Sequence, residues 1–295
     1  VRVSLVVTVY MMEIMQRKGF KHRTGPELSY RGLNDTQVRG WLIRIIERFG
    51  GQKQLQQLYD EYTAIERTPA DFWDDSIKLL NLRIIYNHEN LEKVPRSGPL
   101  VIIANHPFGI LDGIAAGHIV SKVRRDFKFL AHASLERAEP FKPYLIPINF
   151  DQNINAVRKN IESKKNTLAH LEDGGAIIIF PAGEVSTATK LSGKALDNEW
   201  KPFVGKLIMK ARSPVLPLFF DGQNSWLFHF VSKFSSTIRE AVLLRELYLR
   251  IGTEVECQIG DSIPFHDLAQ HRDRSGLLKF LRQTVYGLEK NTGSK

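Results

Sequence analysis

The decapeptide ANHPFGILDG (104–113) sets an imidazole, His106, and a carboxylate, Asp112, six positions apart, between an apolar run, LVIIA, and a helix-like stretch. Neutral imidazole accepts a proton near neutral pH, and a partner on its other nitrogen fixes the tautomer. A carboxylate within reach can be that partner, as in triad chemistry with the serine removed. His106 can then deprotonate a hydroxyl or amine that attacks an activated carbonyl. A second reading is local: Asp112 caps the helix and His106 staples the turn. The pair alone leaves both open. In either case Pro107 and Gly109 bend the loop, and Gly113 with the following IAAG lets the next helix pack closely.

The elements that must hold such a loop show in the rhythm of the chain. From about residue 98, short apolar runs (LVIIA, FKFLA, YLIPINF, AIIIF, VLPLFF, VECQI) alternate with amphipathic stretches near 113–124, 154–172, 199–212 and 267–289. This predicts an α/β fold with a mixed, largely parallel central sheet flanked by helices. Residues 1–70 read differently, as a charged helical N-terminal region. NDTQVRGWLIRIIERFGG opens on cap residues and ends in Gly-Gly, and the next such stretch stops at proline. The expected division is therefore 1–70 and 71–295. Four of the apolar runs discharge into loops rich in Gly, Pro, Asn and acid, namely NHPFGILDG, PAGEVST, DGQNS and DQN. Strand ends are where such sheets gather function.

Bulk properties narrow the partners. With 295 residues, 43% hydrophobic and 25% charged, the chain can bury a sizeable core. Its one cysteine, Cys257, excludes an internal disulfide, fits a reducing compartment and reads as packing within the strand-like EVECQIG. The net charge of +9 suits an acidic partner. Nucleic acid is not expected, because no zinc-finger, ribonucleoprotein or basic-zipper pattern is present. An anionic membrane surface fits better: NSWLFHFVSKF (224–234) and LLRELYLRIG (243–252) place large apolar residues beside Lys or Arg. Such stretches can lie among headgroups or pack as core helices with snorkelling cations. The apolar segment at 4–15 is interrupted by Glu13 and falls short of the roughly 20 residues a bilayer requires.

NHPFGILDG, FPAGEVS and PVLPLFFDGQNS, in this order, resemble the blocks of the glycerolipid (PlsC-type, lysophospholipid) acyltransferase superfamily, in particular its hemolysin-like, aminolipid branch. The resemblance spans about residues 86–225. It implies transfer of a fatty acyl group from an acyl thioester, on acyl-carrier protein or coenzyme A, to the hydroxyl of a membrane lysolipid. No metal and no organic cofactor beyond that thioester substrate is implied. His106 becomes the general base and Asp112 its orienting acid. The turn around Gly183, Glu184 and Ser186 would meet the acceptor headgroup, with Asn105, Gly109, Phe180, Pro181 and Asn224 completing the implied substrate-binding set. Pro217 falls in the block of the family's fourth motif, which Asn224 and Ser225 extend.

Departures from the family pattern carry information too. The usual H-x-x-x-x-D is one residue longer here, as in the N-H-P-x-G-x-x-D of the aminolipid branch. The usual third block, F-P-E-G-T-R-S, has Ala182 for its glutamate, Glu184 for its threonine and Val185 for its arginine. Arginine suits a phosphate, so its loss argues against lysophosphatidic acid as acceptor. Glu184 suits a cationic or zwitterionic headgroup, such as that of an ornithine- or glycine-type lipid. For the arginine of the second block, Gln152 lies near the place and Arg158 is a stand-in. Lysophosphatidic acid acylation and an inactive membrane lipid-binding module remain the alternatives, and a lysolipid hydrolase is a weaker third. Thioester and lysolipid meet at the cytoplasmic face of the inner membrane, where a peripheral enzyme is expected.

Other candidates read as structural. His118 lies inside a helix; His132 follows a strand and is a possible site-lining residue. His266 and His271 lack metal-ligand partners at the right spacing. Ser186 and Ser225 are not in a G-x-S-x-G elbow. Lys190, Lys194 and Lys201 are candidates for a carrier protein's acidic face or a pantetheine phosphate, with a solvated face as the plain reading.

Overall fold

In the computed structural model the described residues are 68–289, apart from 138–139, 150–153, 190–192, 234–235 and 272, together with Gly51 and Gln54. Nearly all of the 1–70 region lies outside them, as do Gln152 and Lys190.

Seven strands make one sheet: β1 (Arg83–Tyr86), β2 (Leu100–Ala104), β3 (Phe127–His132), β4 (Leu145–Ile148), β5 (Ala176–Ile179), β6 (Val215–Phe220) and β7 (Glu254–Ile259). Their order is β1-β7-β6-β2-β5-β3-β4. From β6 to β4 all pairings are parallel; β7 joins β6 antiparallel, and β1 runs parallel to β7. The mixed, largely parallel sheet expected from the sequence is therefore present. The three central strands, β6, β2 and β5, are wholly apolar because helices cover both faces. Leu100, Ile102 and Ala104 of β2 join one core layer, and Val101 and Ile103 join the other. Each fully buried Leu, Ile or Val contributes roughly 1.5–3 kcal/mol, so β2 is a firm base for the loop that follows it.

The helices are α1 (Phe72–Leu79), α2 (His88–Glu92), α3 (Ile110–Ser121), α4 (Ile154–Glu172), α5 (Pro202–Ala211), α6 (Trp226–Ser232), α7 (Ser236–Leu249), α8 (Phe265–Leu268) and α9 (Arg274–Gly287). Two sequence expectations need correction. The stretch 267–289 is not one helix: Asp273 accepts from the Gly276 amide at 2.6 Å and caps a new start. The helix after the β2 loop packs closely at Gly117, the glycine of IAAG, where a Cβ would sit 2.1 Å from the Trp73 ring, but not at Gly113, which faces open space. Trp73 in turn anchors an aromatic cluster with Phe127, Phe129 and Phe141, which fixes α1 against β3.

Candidate active site

Because β6, β2, β5, β3 and β4 are parallel, their carboxyl ends share one end of the sheet. The loop leaving β2 at its centre is clasped there. Asn105 is buried, its amide nitrogen donating to the Phe220 carbonyl at 2.8 Å and its oxygen accepting from the Phe220 amide at 2.7 Å. Both ends of the side chain are thus spent on β6, so Asn105 positions the loop. Gly109 takes φ +80 and opens α3; a Cβ there would press on Leu243 and Val185 at 3.1–3.2 Å. Only glycine fits both the left-handed backbone and that gap.

This bend brings His106 and Asp112 together. The Asp112 carboxylate is fully buried, and its Oδ2 accepts from His106 Nδ1 at 2.9 Å, Phe108 N at 2.8 Å and Gly109 N at 2.9 Å. Oδ1 is buried without a hydrogen-bond partner. Burial pushes the Asp112 carboxyl up from its usual range, opposed by His106 and the two backbone amides. With Nδ1–H donating to a carboxylate, the Nε2 lone pair is left to take a proton. Phe180 stacks on the imidazole, with ring centres 4.0 Å apart and planes 16° apart. The ring is held by its acid and its stacking partner, and Asp112 serves the helix start and the imidazole with one oxygen.

The loop after β5 lies against the first. Gly183, at φ +71, closes a turn in which its amide donates to the Phe180 carbonyl at 2.9 Å. Pro181 is buried, its carbonyl accepting from Lys201 N. Glu184 is partly exposed; it accepts from Asn198 Nδ2 at 2.8 Å and sits 3.8 Å from the Arg239 guanidinium. Val185 points into the core beside Gly109. An arginine at 185 would bury its charge there, so no headgroup contact runs through that position. Ser186 is buried as well: its amide donates to the His106 carbonyl at 2.8 Å and its hydroxyl to Asp197 Oδ1.

Asp197 is the residue that sequence reasoning missed. It is buried, and Oδ1 also accepts from the His106 amide at 3.2 Å while Oδ2 accepts from Trp200 Nε1 at 2.9 Å. Its own amide donates to the Tyr286 hydroxyl and its carbonyl accepts from Arg282. The carboxylate thus ties the β2 loop to the β5 loop, and the backbone of the same residue ties both to α9. Asp197→Ala leaves three donors without an acceptor, each costing about 1–3 kcal/mol, and is expected to lower both chemical-denaturation stability and acyl transfer. Asp197→Asn keeps one acceptor oxygen and should fall between wild type and alanine in a urea titration.

Beyond β6, Gly222 (φ +107) lets the backbone pass Phe108, whose ring a Cβ would meet at 2.7 Å. The Arg250 guanidinium lies 4.0 Å over that ring and donates to the Gln223 carbonyl at 2.8 Å. Ser225 donates twice to Glu246, at 2.6 and 2.8 Å. Between these two anchors Asn224 is buried with neither end of its amide hydrogen-bonded. His229, also buried, accepts from the Ala188 amide at 3.3 Å. Pro217 is buried within β6.

The remaining candidates fall elsewhere. His118 pairs with Asp74 on α1 at 2.8 Å. His132 ends β3 at the same end of the sheet as the His106 loop. His271 stacks on Phe280, and among the described residues no cluster of three or more His, Cys, Asp or Glu could hold a metal. Lys194 pairs with Glu289, Lys201 caps α5, and Arg158 is exposed on α4. Cys257 is buried in β7, and burial pushes its thiol up, out of the nucleophilic range.

The centre of the site is therefore a histidine held by a buried carboxylate at the end of the central parallel strand. Residues 33–292 match the acyltransferase family model, and the chain belongs to that family, within the glycerolipid acyltransferase superfamily. Among curated relatives it is 27% identical over 227 residues to the lyso-glycine lipid O-acyltransferase of Phocaeicola vulgatus, covering 74% of this chain and 78% of that one. It is 23% identical over 231 residues to the protein of the same name from Bacteroides thetaiotaomicron, covering 76% and 81%. In fold it is similar to the crystal structure of the 1-acyl-sn-glycerophosphate acyltransferase PlsC from Thermotoga maritima, with TM-score 0.52, 14% identity and 98% and 96% coverage.

Proposed function

We propose that the chain moves a fatty acyl group from an acyl thioester to the hydroxyl of a lyso-aminolipid of the glycine or ornithine type, with His106 as general base. The observation that carries this is the 2.9 Å bond from His106 Nδ1 to the buried Asp112. Nε2 takes the hydroxyl proton as the oxygen attacks the thioester carbonyl. The C–S bond breaks as the tetrahedral intermediate collapses, and the imidazolium returns the proton to the departing thiolate. Asp112 stabilises the imidazolium between these steps. The thioester is a substrate, and the scheme calls for no metal or further cofactor.

Two features support an amino-acid headgroup. The position of the family's phosphate-binding arginine is an apolar core residue, Val185. Glu184 and Arg239 place opposite charges 3.8 Å apart on the β5 loop and α7, a pair suited to a headgroup bearing both an amine or amide and a carboxylate. The names of the curated relatives point the same way.

The test is acyl transfer from labelled acyl-carrier-protein and acyl-coenzyme A thioesters to lyso-glycine lipid, lyso-ornithine lipid, lysophosphatidic acid and water. Product with an aminolipid in clear excess over lysophosphatidic acid is expected. Equal or greater transfer to lysophosphatidic acid overturns the headgroup reading. Thioester loss to water alone overturns transfer in favour of hydrolysis.

A further inference from the structure

The exposed large hydrophobic side chains among the described residues are not scattered. On α4 they are Ile154, at 79% exposure, with Val157 and Ile161; on α6 they are Trp226, at 62%, and Phe230; the others are Leu196 and Leu249. α4 begins just beyond the carboxyl end of β4, α6 just beyond that of β6, and Leu196 follows the β5 loop. Leu249 ends α7, before β7 enters the sheet antiparallel, and so belongs to the same end. Every one of these side chains is thus carried by a segment that meets the sheet at the end bearing His106. Singly exposed apolar residues need no account, but a grouping around one end of a fold marks a contact surface.

The chemistry of α4 indicates the partner. Ala156, Ser163, Thr167 and Leu171 face the protein. Ile154, Val157 and Ile161, at spacings of three and four, form a second apolar stripe that is exposed among the described residues. Arg158, Lys159, Lys164 and Lys165 are exposed on the same helix, against only Glu162 and Glu172. An apolar stripe bordered by cations is the pattern of a helix lying in an anionic headgroup layer. On α6, Trp226 and Phe230 project outward while Phe228 and His229 are buried, and indole rings favour that interfacial depth. The sheet order puts β2 between β4 and β6, so the two patches bracket the catalytic loop.

We infer that the catalytic end of the sheet docks on an anionic lipid bilayer, with the first turns of α4 and the Trp226–Phe230 pair entering the headgroup region on either side of His106. This rests on the lysolipid reading above and adds the surface through which the acceptor arrives. A lysolipid hydroxyl then reaches the base without its chain crossing water.

The test uses the full chain and vesicles of phosphatidylcholine with or without phosphatidylglycerol. Co-flotation of wild type with the anionic vesicles is expected. Ile154→Ser/Val157→Ser/Ile161→Ser should weaken it by roughly 10- to 100-fold, while transfer to a short-chain, monomeric acceptor stays unchanged. Wild-type tryptophan emission should shift to the blue on vesicles and be quenched by brominated lipid, and Trp226→Phe should lose both changes. Equal flotation of the triple variant, with an emission change that survives Trp226→Phe, overturns the proposal. So does unchanged flotation with a raised KM for the carrier-protein thioester alone, which would make α4 the carrier's dock. A wild-type dimer that the triple variant turns into a monomer, again with unchanged flotation, would assign the stripe to a second copy and overturn it too. If aminolipid transfer fails while flotation behaves as expected, the docking surface stands and the functional reading falls.

Discussion

Replacing His106 with alanine is expected to cut acyl transfer by roughly 100- to 10,000-fold, the range for removal of a positioned general base. The fold should survive, because the loop is held from outside the imidazole. Asn105 still clasps Phe220, Asp197 still accepts from the residue-106 amide, and Asp112 keeps the amides of Phe108 and Gly109. What Asp112 loses is one donor of three, a cost on the order of 1 kcal/mol in stability. Initial rates with labelled thioester, set beside a thermal melt, separate the two effects. Added imidazole should restore part of the rate. A variant within threefold of wild type would remove His106 from the reaction.

The residues legible in the sequence are those whose partners lie nearby or whose environment is uniform. His106 and Asp112 are six positions apart, so a single bent loop suffices to join them. β2, β5 and β6 announce themselves as unbroken apolar runs because helices bury both faces of a parallel centre. β1, RIIY, escapes: it is short, only partly buried and at the sheet edge, where neither alternation nor a full apolar run is required. Asp197 escapes for a different reason. Its side chain serves His106, 91 positions away, as well as Ser186 and Trp200, and nothing in KALDNEW marks it apart from ordinary surface acid. Ser186 shows the converse. The motif makes it conspicuous, yet its hydroxyl is spent inside the protein on Asp197 rather than turned toward an acceptor. The missing arginine of the third block was legible as an absence, but only the packing of Val185 against Gly109 shows that the position faces the core. The stripe on α4 was hidden by composition, since the helix carries enough Lys, Arg and Asn to read as plainly solvated.

Asp112 offers the sharper test of how the site works, because its asparagine and alanine variants are expected to diverge. Alanine leaves His106 Nδ1 and the Phe108 and Gly109 amides with no acceptor, so rate and stability should fall together, the rate toward the level of the His106 variant. In asparagine the two backbone amides select the carbonyl oxygen for the place of Oδ2, the same atom that faces His106. The imidazole therefore keeps its Nδ1–H tautomer and a free Nε2. Only the negative charge is gone. A charge-assisted hydrogen bond is about twice as strong as a neutral one, and the difference, on the order of 1.5 kcal/mol, is worth about tenfold in rate. With the loss of counter-charge to the imidazolium, Asp112→Asn should lie roughly 10- to 100-fold below wild type, well short of the ~10,000-fold seen where this change inverts the tautomer of a triad. Stability carries an independent sign. Burial raises the Asp112 carboxyl above its unfolded value, so the folded protein binds that proton more tightly, and this group favours folding most at low pH and least once ionised. Asparagine has no such dependence. Measured by urea unfolding, Asp112→Asn should therefore compare best with wild type at neutral pH and lose ground as the pH falls toward the ordinary carboxylate range. An asparagine variant as slow as alanine would show that the amide turns over in place, and that the two backbone amides do not govern which atom the base sees.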